Sequence, residues 1–228
     1  MYDSTLSRLL KLAMLIVFGV GGCMCIWSAG DLGSIGTIQL EYSFADVVAN
    51  SYLTAVYIQT EKWSGSGVIV GKNIVLTARH VILDAKEFTI RDCYGKEYEG
   101  ICAVTSPNND FGIITVDEEF SNVATLGDSS ELVIGEVLFA IGSPLGDTFF
   151  NEVCKGIVSG LNRDLEYFGT GLMITTDLDG NPGNSGCPVF NGDGEVIGIL
   201  VGTAGGTNPI VVVVPINLMK DMIDASGI

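Results

Sequence analysis

Short apolar runs of β character, each bounded by turn residues, recur at close intervals through residues 53–214, and that rhythm leaves few folds open. Leu53–Thr60, Gly67–Val70, Ile74–Leu76, Glu87–Arg91, Glu97–Val104 and Gly112–Val116 form a first set of six. Turn residues such as Gly71-Lys72-Asn73, Tyr94-Gly95-Lys96 and Pro107-Asn108-Asn109 separate them. After the polar break Leu126-Gly127-Asp128-Ser129-Ser130 comes a second six: Val137–Ile141, Cys154–Ser159, Met173–Thr176, Pro188–Phe190, Val196–Val201 and Ile210–Val214. Six strands can close on themselves. The pattern therefore predicts an all-β chain of two six-stranded antiparallel β-barrels joined by one crossover. Pro215 opens a short C-terminal helix with Ile216, Met219, Met222 and Ile223 on one face.

The predicted domains are a leader or anchor over 1–30, a first barrel with its linker over 31–126, and a second barrel with the terminal helix over 127–228. Thirty glycines against six prolines suit a turn-rich barrel better than a helix bundle. Hydrophobic residues make up 47% and charged residues 17%, enough for a sizeable core and against disorder. A formal charge of −16 repels phosphate backbones and argues against nucleic acid as a partner.

Arg8 and Lys11 precede an apolar run from Leu12 to Trp27. The run fits a signal-peptide core or a marginal spanning helix, and Val20-Gly21-Gly22-Cys23 is a weak lipobox-like alternative. Either reading places the rest of the chain outside the cytoplasm, periplasmic or secreted, and allows a membrane attachment. Of six cysteines, Cys93, Cys102, Cys154 and Cys187 lie beyond that run; they fit small buried hydrophobes, with Cys93 and Cys102 able to pair across a hairpin. One histidine and no CxxC pair argue against a metal, and no cofactor is expected.

That histidine, His80, follows the run Ile74–Leu76; Asp110 sits in Asn109-Asp110-Phe111-Gly112, and Ser185 in Gly183-Asn184-Ser185-Gly186. The order His, Asp, Ser is the one used by chymotrypsin-like hydrolases, in which the imidazole takes the hydroxyl proton and the carboxylate orients the imidazole. A serine hydroxyl needs such a base to become a nucleophile. The flanking glycines allow backbone N–H groups to turn toward the oxyanion formed on attack. With His80 and Asp110 on one barrel and Ser185 on the other, the expected site is the cleft between them.

Gly65-Ser66-Gly67-Val68-Ile69-Val70, Ile74–His80, Asn109–Ile113, Leu126–Ser129, Ala140–Gly146, Gly156–Ser159 and Asn181–Val189 together resemble the HtrA/Deg group of trypsin-like serine proteases. The resemblance spans about residues 50–215 with the blocks in order. It implies His80 as base, Asp110 as orienter and Ser185 as nucleophile, with an oxyanion hole from the Gly183, Asn184 and Ser185 amides. It also implies that Leu200, Val201, Gly202 and Thr203 receive the substrate backbone by β-addition. Asp179 lies where trypsin-type enzymes recognise Lys or Arg, whereas the HtrA group favours small aliphatic side chains. Cys187 replaces the glycine usual in the group, no PDZ module follows, and no Ile-Val-Gly-Gly start signals activation by a new N-terminus.

The expected function is a serine endopeptidase that acts through an acyl-enzyme on unfolded or exposed protein segments. A non-catalytic binding or chaperone module on the same scaffold and an esterase are the alternatives. Protein or peptide substrates are the expected partners, and the resemblance allows a homo-oligomer.

Overall fold

Val- and Ile-rich runs dominate residues 55–116 and 137–215, and in the computed structural model they close into two barrels. The structure describes residues 43–206 and 210–226, together with the backbone of three short strands: β1 (Leu15–Gly19), β2 (Gly22–Ile26) and β3 (Ile38–Gln39). The chain forms two compact units, Met1–Ala45 and Asp46–Ile228. In the first, β1 pairs antiparallel with β2, and β2 with β3. The leader or anchor expected over 1–30 lies largely outside the described residues; where described, its apolar run is strand. Among the described residues no helix is long and apolar enough to cross a membrane, which leaves membrane-spanning strands untouched.

A helix, Phe44–Tyr52, leads into the first barrel. Its strands are β4 (Ala55–Thr60), β5 (Ser64–Gly71), β6 (Ile74–Thr77), β7 (Phe88–Arg91), β8 (Glu97–Thr105) and β9 (Gly112–Val116). They close in the order β4-β5-β6-β9-β8-β7. The second barrel comprises β10 (Val137–Gly142), β11 (Glu152–Asp164), β12 (Leu172–Thr176), β13 (Pro188–Phe190), β14 (Val196–Ala204) and β15 (Ile210–Pro215), ordered β10-β11-β12-β15-β14-β13. Closure leaves no sheet edge along most of each barrel, so backbone donors and acceptors are consumed internally.

Both barrels are filled by aliphatic side chains. Val56, Ile58, Val68, Val75, Leu76, Ile90 and Ile114 have no measurable exposure, or almost none, in the first, and Leu138, Val158, Val189, Ile197 and Val213 in the second. Burying each such side chain contributes about 1.5–3 kcal/mol. The crossover is laced to both barrels: Ala124 N–H donates to Ile69 O at 2.8 Å, and Val196 N–H to Thr125 O at 2.9 Å. At the C-terminus Ile216–Leu218 form a 3-10 turn and Lys220–Ala225 a helix, with Ile216, Met219 and Ile223 buried.

β11 runs on past Ser159 to Asp164, beyond its expected end. Two register shifts against β12, after Val158 and after Gly160, bend it into a projecting hairpin, and Asn162 takes a left-handed backbone (φ 55°) within it. Cys93, Cys102, Cys154 and Cys187 are all free thiols. The β7–β8 register explains why Cys93 and Cys102 do not meet. It sets Arg91 opposite Glu97 and Phe88 opposite Gly100, so Cys102 is carried past the far end of β7 while Cys93 lies in the turn.

Candidate active site

β6 ends at Thr77 and the chain turns at Ala78 into a single helical turn, Arg79–Ile82. Val81 and Ile82 are buried and anchor it, leaving His80 half-exposed at the cleft. Val81 packs where a side chain at Gly65 would otherwise stand, 2.7 Å from the place of a β-carbon. Asp110 comes from the loop before β9. Ser106 Oγ accepts the Asn108 and Asn109 N–H groups, and buried Phe111 pins the loop's end. The structure brings the two together closely. Asp110 Oδ2 lies 2.7 Å from His80 Nδ1, and Asp110 Oδ1 accepts the His80 backbone N–H at 3.0 Å. A carboxylate against Nδ1 holds the proton there, so Nε2 carries the lone pair that can act as a base.

Ser185 lies in the turn between β12 and β13, and its carbonyl accepts the Ser66 N–H from β5 at 2.9 Å. Gly186 (φ 86°) is wedged so closely against the end of β6 that a β-carbon would collide with Thr77 Oγ1 and Ser66 O and lie 2.7 Å from Ala78 N. The serine turn therefore seats directly on the strand end that delivers His80.

The carbonyls from Asn181 to Ser185 are all occupied. Pro182 O accepts Leu145 N–H at 2.7 Å, Gly183 O accepts Ser66 Oγ–H at 2.8 Å, and Asn184 O accepts Cys187 N–H at 2.9 Å. Asn184 N–H is itself spent on Asn181 O at 3.0 Å. Among the described residues the Gly183 and Ser185 N–H groups have no acceptor. The peptide planes are thus pinned from their carbonyl sides, and two donors are left over. Of the three amides expected to serve an oxyanion, two are unspent and the Asn184 amide is not. Position 183 requires glycine, because its backbone is left-handed (φ 100°) and a β-carbon would strike Ser143 O.

A cleft of about 820 Å3 runs between the barrels, walled by Arg79, His80, Leu83 and Asp110 on one side and by Tyr167 and Phe168 on the other. Its remaining lining includes Val201, Gly202 and Thr203. β13 pairs with β14 only as far as Ile199, and Leu200 is bonded through both backbone groups to Gly186 and Cys187. Leu200 is therefore consumed in holding the serine turn, whereas among the described residues the outer edge of β14 has no backbone partner from Val201 onward. Asp179 is not in this cleft. It is exposed and lines a separate hollow of about 320 Å3 with Cys154, Asn181 and Asn184, and its backbone carbonyl accepts the Asn184 side-chain Nδ2–H at 2.9 Å.

Cys187 is fully buried beside the turn, and burial pushes its thiol well above the ordinary cysteine range, with Cys154 adding to the shift. It is a packing residue, not a nucleophile at neutral pH. Among the described residues no cluster of His, Cys, Asp and Glu could hold a metal. Leu83, Phe168 and Ser66 were not singled out as functional in the sequence. Ser66 lies within a glycine-flanked block, but its partners in the second barrel, Ser143, Gly183 and Ser185, are more than seventy residues away.

Residues 65–199 match the family described as the trypsin-like peptidase domain. A Pseudomonas fulva protein named "Probable periplasmic serine endoprotease DegP-like" is 38% identical over 170 residues, covering 72% of this chain and 35% of that relative. "Serine protease Do-like HtrA" of Bacillus subtilis is 37% identical over 150 residues, covering 61% of this chain and 33% of the relative. The chain thus spans about a third of the length of these relatives. Among solved structures, an HtrA-type protease AlgW with tripeptide superposes with a TM-score of 0.74 at 28% identity, over 81% of this chain and 65% of the other. A serine endoprotease from Yersinia pestis gives 0.70 at 26% identity, over 82% and 67%.

Proposed function

This chain belongs to the trypsin-like peptidase domain family, alongside HtrA/Deg-type relatives, and from that membership we propose that it is a serine endopeptidase acting through an acyl-enzyme on Ser185. The observation that carries the reading is the serine turn, in which the carbonyls are pinned and the Gly183 and Ser185 amides are unspent. A binding module has no use for two unsatisfied donors beside a serine and a carboxylate-held histidine. Acyl transfer needs both.

In the proposed reaction an exposed, extended peptide adds to the open edge of β14 at Val201, Gly202 and Thr203. Ser185 Oγ attacks the scissile carbonyl while His80 Nε2 takes its proton. Asp110 keeps the Nδ1–H oriented and stabilises the imidazolium. The oxyanion accepts from the Gly183 and Ser185 N–H groups; Asn184 supports the turn and does not donate. Collapse of the intermediate breaks the C–N bond, and His80 returns its proton to the leaving amine. Water then attacks the acyl-enzyme with the same base. Asp179 serves the neighbouring hollow and not the His80 cleft, which favours the small aliphatic preference over a basic one. The periplasmic naming of the relatives supports action outside the cytoplasm.

A fluorophosphonate probe tests the reading. Labelling of the wild type, lost in Ser185→Ala together with casein cleavage, is the expected result. A wild type that is neither labelled nor proteolytic would leave the non-catalytic reading in its place.

A further inference from the structure

One hydroxyl from the first barrel holds the serine turn of the second. Ser66 has no exposed surface and lies on β5 opposite the turn. Its Oγ donates to Gly183 O at 2.8 Å and accepts the Ser143 N–H at 2.9 Å. Its own N–H donates to Ser185 O at 2.9 Å. A single residue therefore grips the carbonyls on both sides of Asn184 and, through Ser143, the loop whose Leu145 N–H pins Pro182 O at 2.7 Å. Its orientation is fixed from behind, because Thr77 Oγ1 donates to Ser66 O at 2.7 Å. The loop it holds is strained in the same place, with Leu145 left-handed (φ 58°).

We propose that Ser66 is a positioning residue for the reaction proposed above, holding the Gly183–Asn184 peptide so that the Gly183 and Ser185 N–H groups face the oxyanion. A peptide plane carries its N–H and C=O on opposite sides. The Gly183 and Ser185 N–H groups belong to the Pro182–Gly183 and Asn184–Ser185 planes, which flank the Gly183–Asn184 plane. Fixing the Gly183 and Ser185 carbonyls against β5 therefore limits the rotations about the shared α-carbons that would redirect those N–H groups. Without the hydroxyl, Gly183 O and the Ser143 N–H lose their shared partner, and buried groups left unmatched recover partners by rotating. The glycine at 183 makes such rotation easy. Ser66 touches neither substrate nor the reacting atoms; it acts through the turn.

The test is Ser66→Ala beside Ser66→Cys, with Thr54→Val as a control that removes a comparable buried hydroxyl, the one Thr54 donates to Ser51 O at 2.7 Å. Peptide hydrolysis, affinity for a peptide boronate, thermal melting and amide hydrogen exchange at the bonded N–H groups of Asn184, Gly186 and Cys187 are measured on each. Since losing one oxyanion donor costs about a hundredfold or more in kcat, misaligning both should lower kcat by roughly tenfold or more in Ser66→Ala. KM stays close to wild type, boronate affinity falls with kcat, the pH profile keeps its midpoint, and exchange quickens at the bonded amides Asn184, Gly186 and Cys187. Ser66→Cys falls between. Thr54→Val loses melting temperature without losing kcat. A Ser66→Ala variant that melts early like the control, yet keeps kcat, boronate affinity and slow exchange, overturns the proposal. If the wild type itself is inert to fluorophosphonate, the endopeptidase reading fails, and unchanged exchange in Ser66→Ala still decides against Ser66 separately.

Discussion

His80 and Asp110 are joined at two points, ring and backbone, by the two oxygens of one carboxylate. Asp110→Asn can still reach both atoms, but its amide offers one acceptor where the carboxylate offers two, and it favours the wrong imidazole tautomer. We expect kcat to fall by about four orders of magnitude with KM little changed, measured on a chromogenic peptide. Gly186 is under a different constraint. A side chain there meets strand backbone on one side and Thr77 on the other, in a left-handed conformation. Gly186→Ala should lose about 2–4 kcal/mol in urea unfolding, because none of the neighbouring backbone can retreat cheaply. The thiols are graded by burial. Iodoacetamide at pH 8 should modify exposed Cys102 in the native protein and spare Cys187, whose raised thiol pKa and enclosure withhold the thiolate.

At the scale of elements, the site depends on two segments that reach across from the second barrel. The end of the β11–β12 hairpin docks on the loop that carries Asp110: Thr170 N–H donates to Asn108 O at 3.1 Å and Gly171 N–H to Asn109 Oδ1 at 3.2 Å. Docking sets Phe168 against Gly202, its ring 2.9 Å from the place of a β-carbon. Phe168 thereby walls the open strand edge. Phe168→Ala should raise KM for extended peptides by roughly threefold to tenfold while kcat changes less, since it removes apolar contact area and leaves the reacting groups alone. The other segment, residues 143–151, is fastened by Arg91. Its guanidinium pairs with Asp147 and lies 4.6 Å from the Phe150 ring centre and 5.2 Å from that of Tyr57. The strand rhythm announced the barrel strands themselves. It could not announce the long β11, because bulges and a left-handed Asn162 interrupt the alternation that marks a strand. Nor could alternation show that Leu200 spends its backbone on the serine turn, since hydrogen-bond partners across a fold leave no trace in local pattern.

Over the whole molecule, an excess of acidic groups makes stability depend on pH and salt. Asp128, in the segment between the barrels, is held down from 3.8 to about 2, first by the Ser130 hydroxyl and then by the Asn217 amide near the C-terminus. A carboxyl whose folded pKa lies below its unfolded value binds fewer protons when folded. Its stabilising contribution is complete above about pH 4 and is lost as pH falls toward 2. Asp147, lowered by Arg91, acts in the same direction. Asp128→Asn should lower the neutral plateau of a melting-temperature profile slightly and flatten part of its acid limb between pH 4 and 2, because the contribution lost at neutral pH is the one the wild type loses on acidification. With a formal charge of −16, the melting temperature at neutral pH should also climb as salt is raised from low ionic strength, because screening relieves self-repulsion.

Local periodicity in the chain determined the strands of the two barrels, the two-barrel architecture and the terminal helix, though not β1–β3, because alternation and turn chemistry are properties of neighbouring residues. It also nominated His80, Asp110 and Ser185 through their order and their glycine-rich surroundings. Tertiary structure alone decided which amides of the serine turn are spent, that Asp179 and the β14 edge line different hollows, that Cys93 and Cys102 cannot meet, and that Ser66 spans the two barrels. Those outcomes turn on register and on hydrogen bonds between residues far apart in the chain, and such partnerships exist only once both barrels have closed.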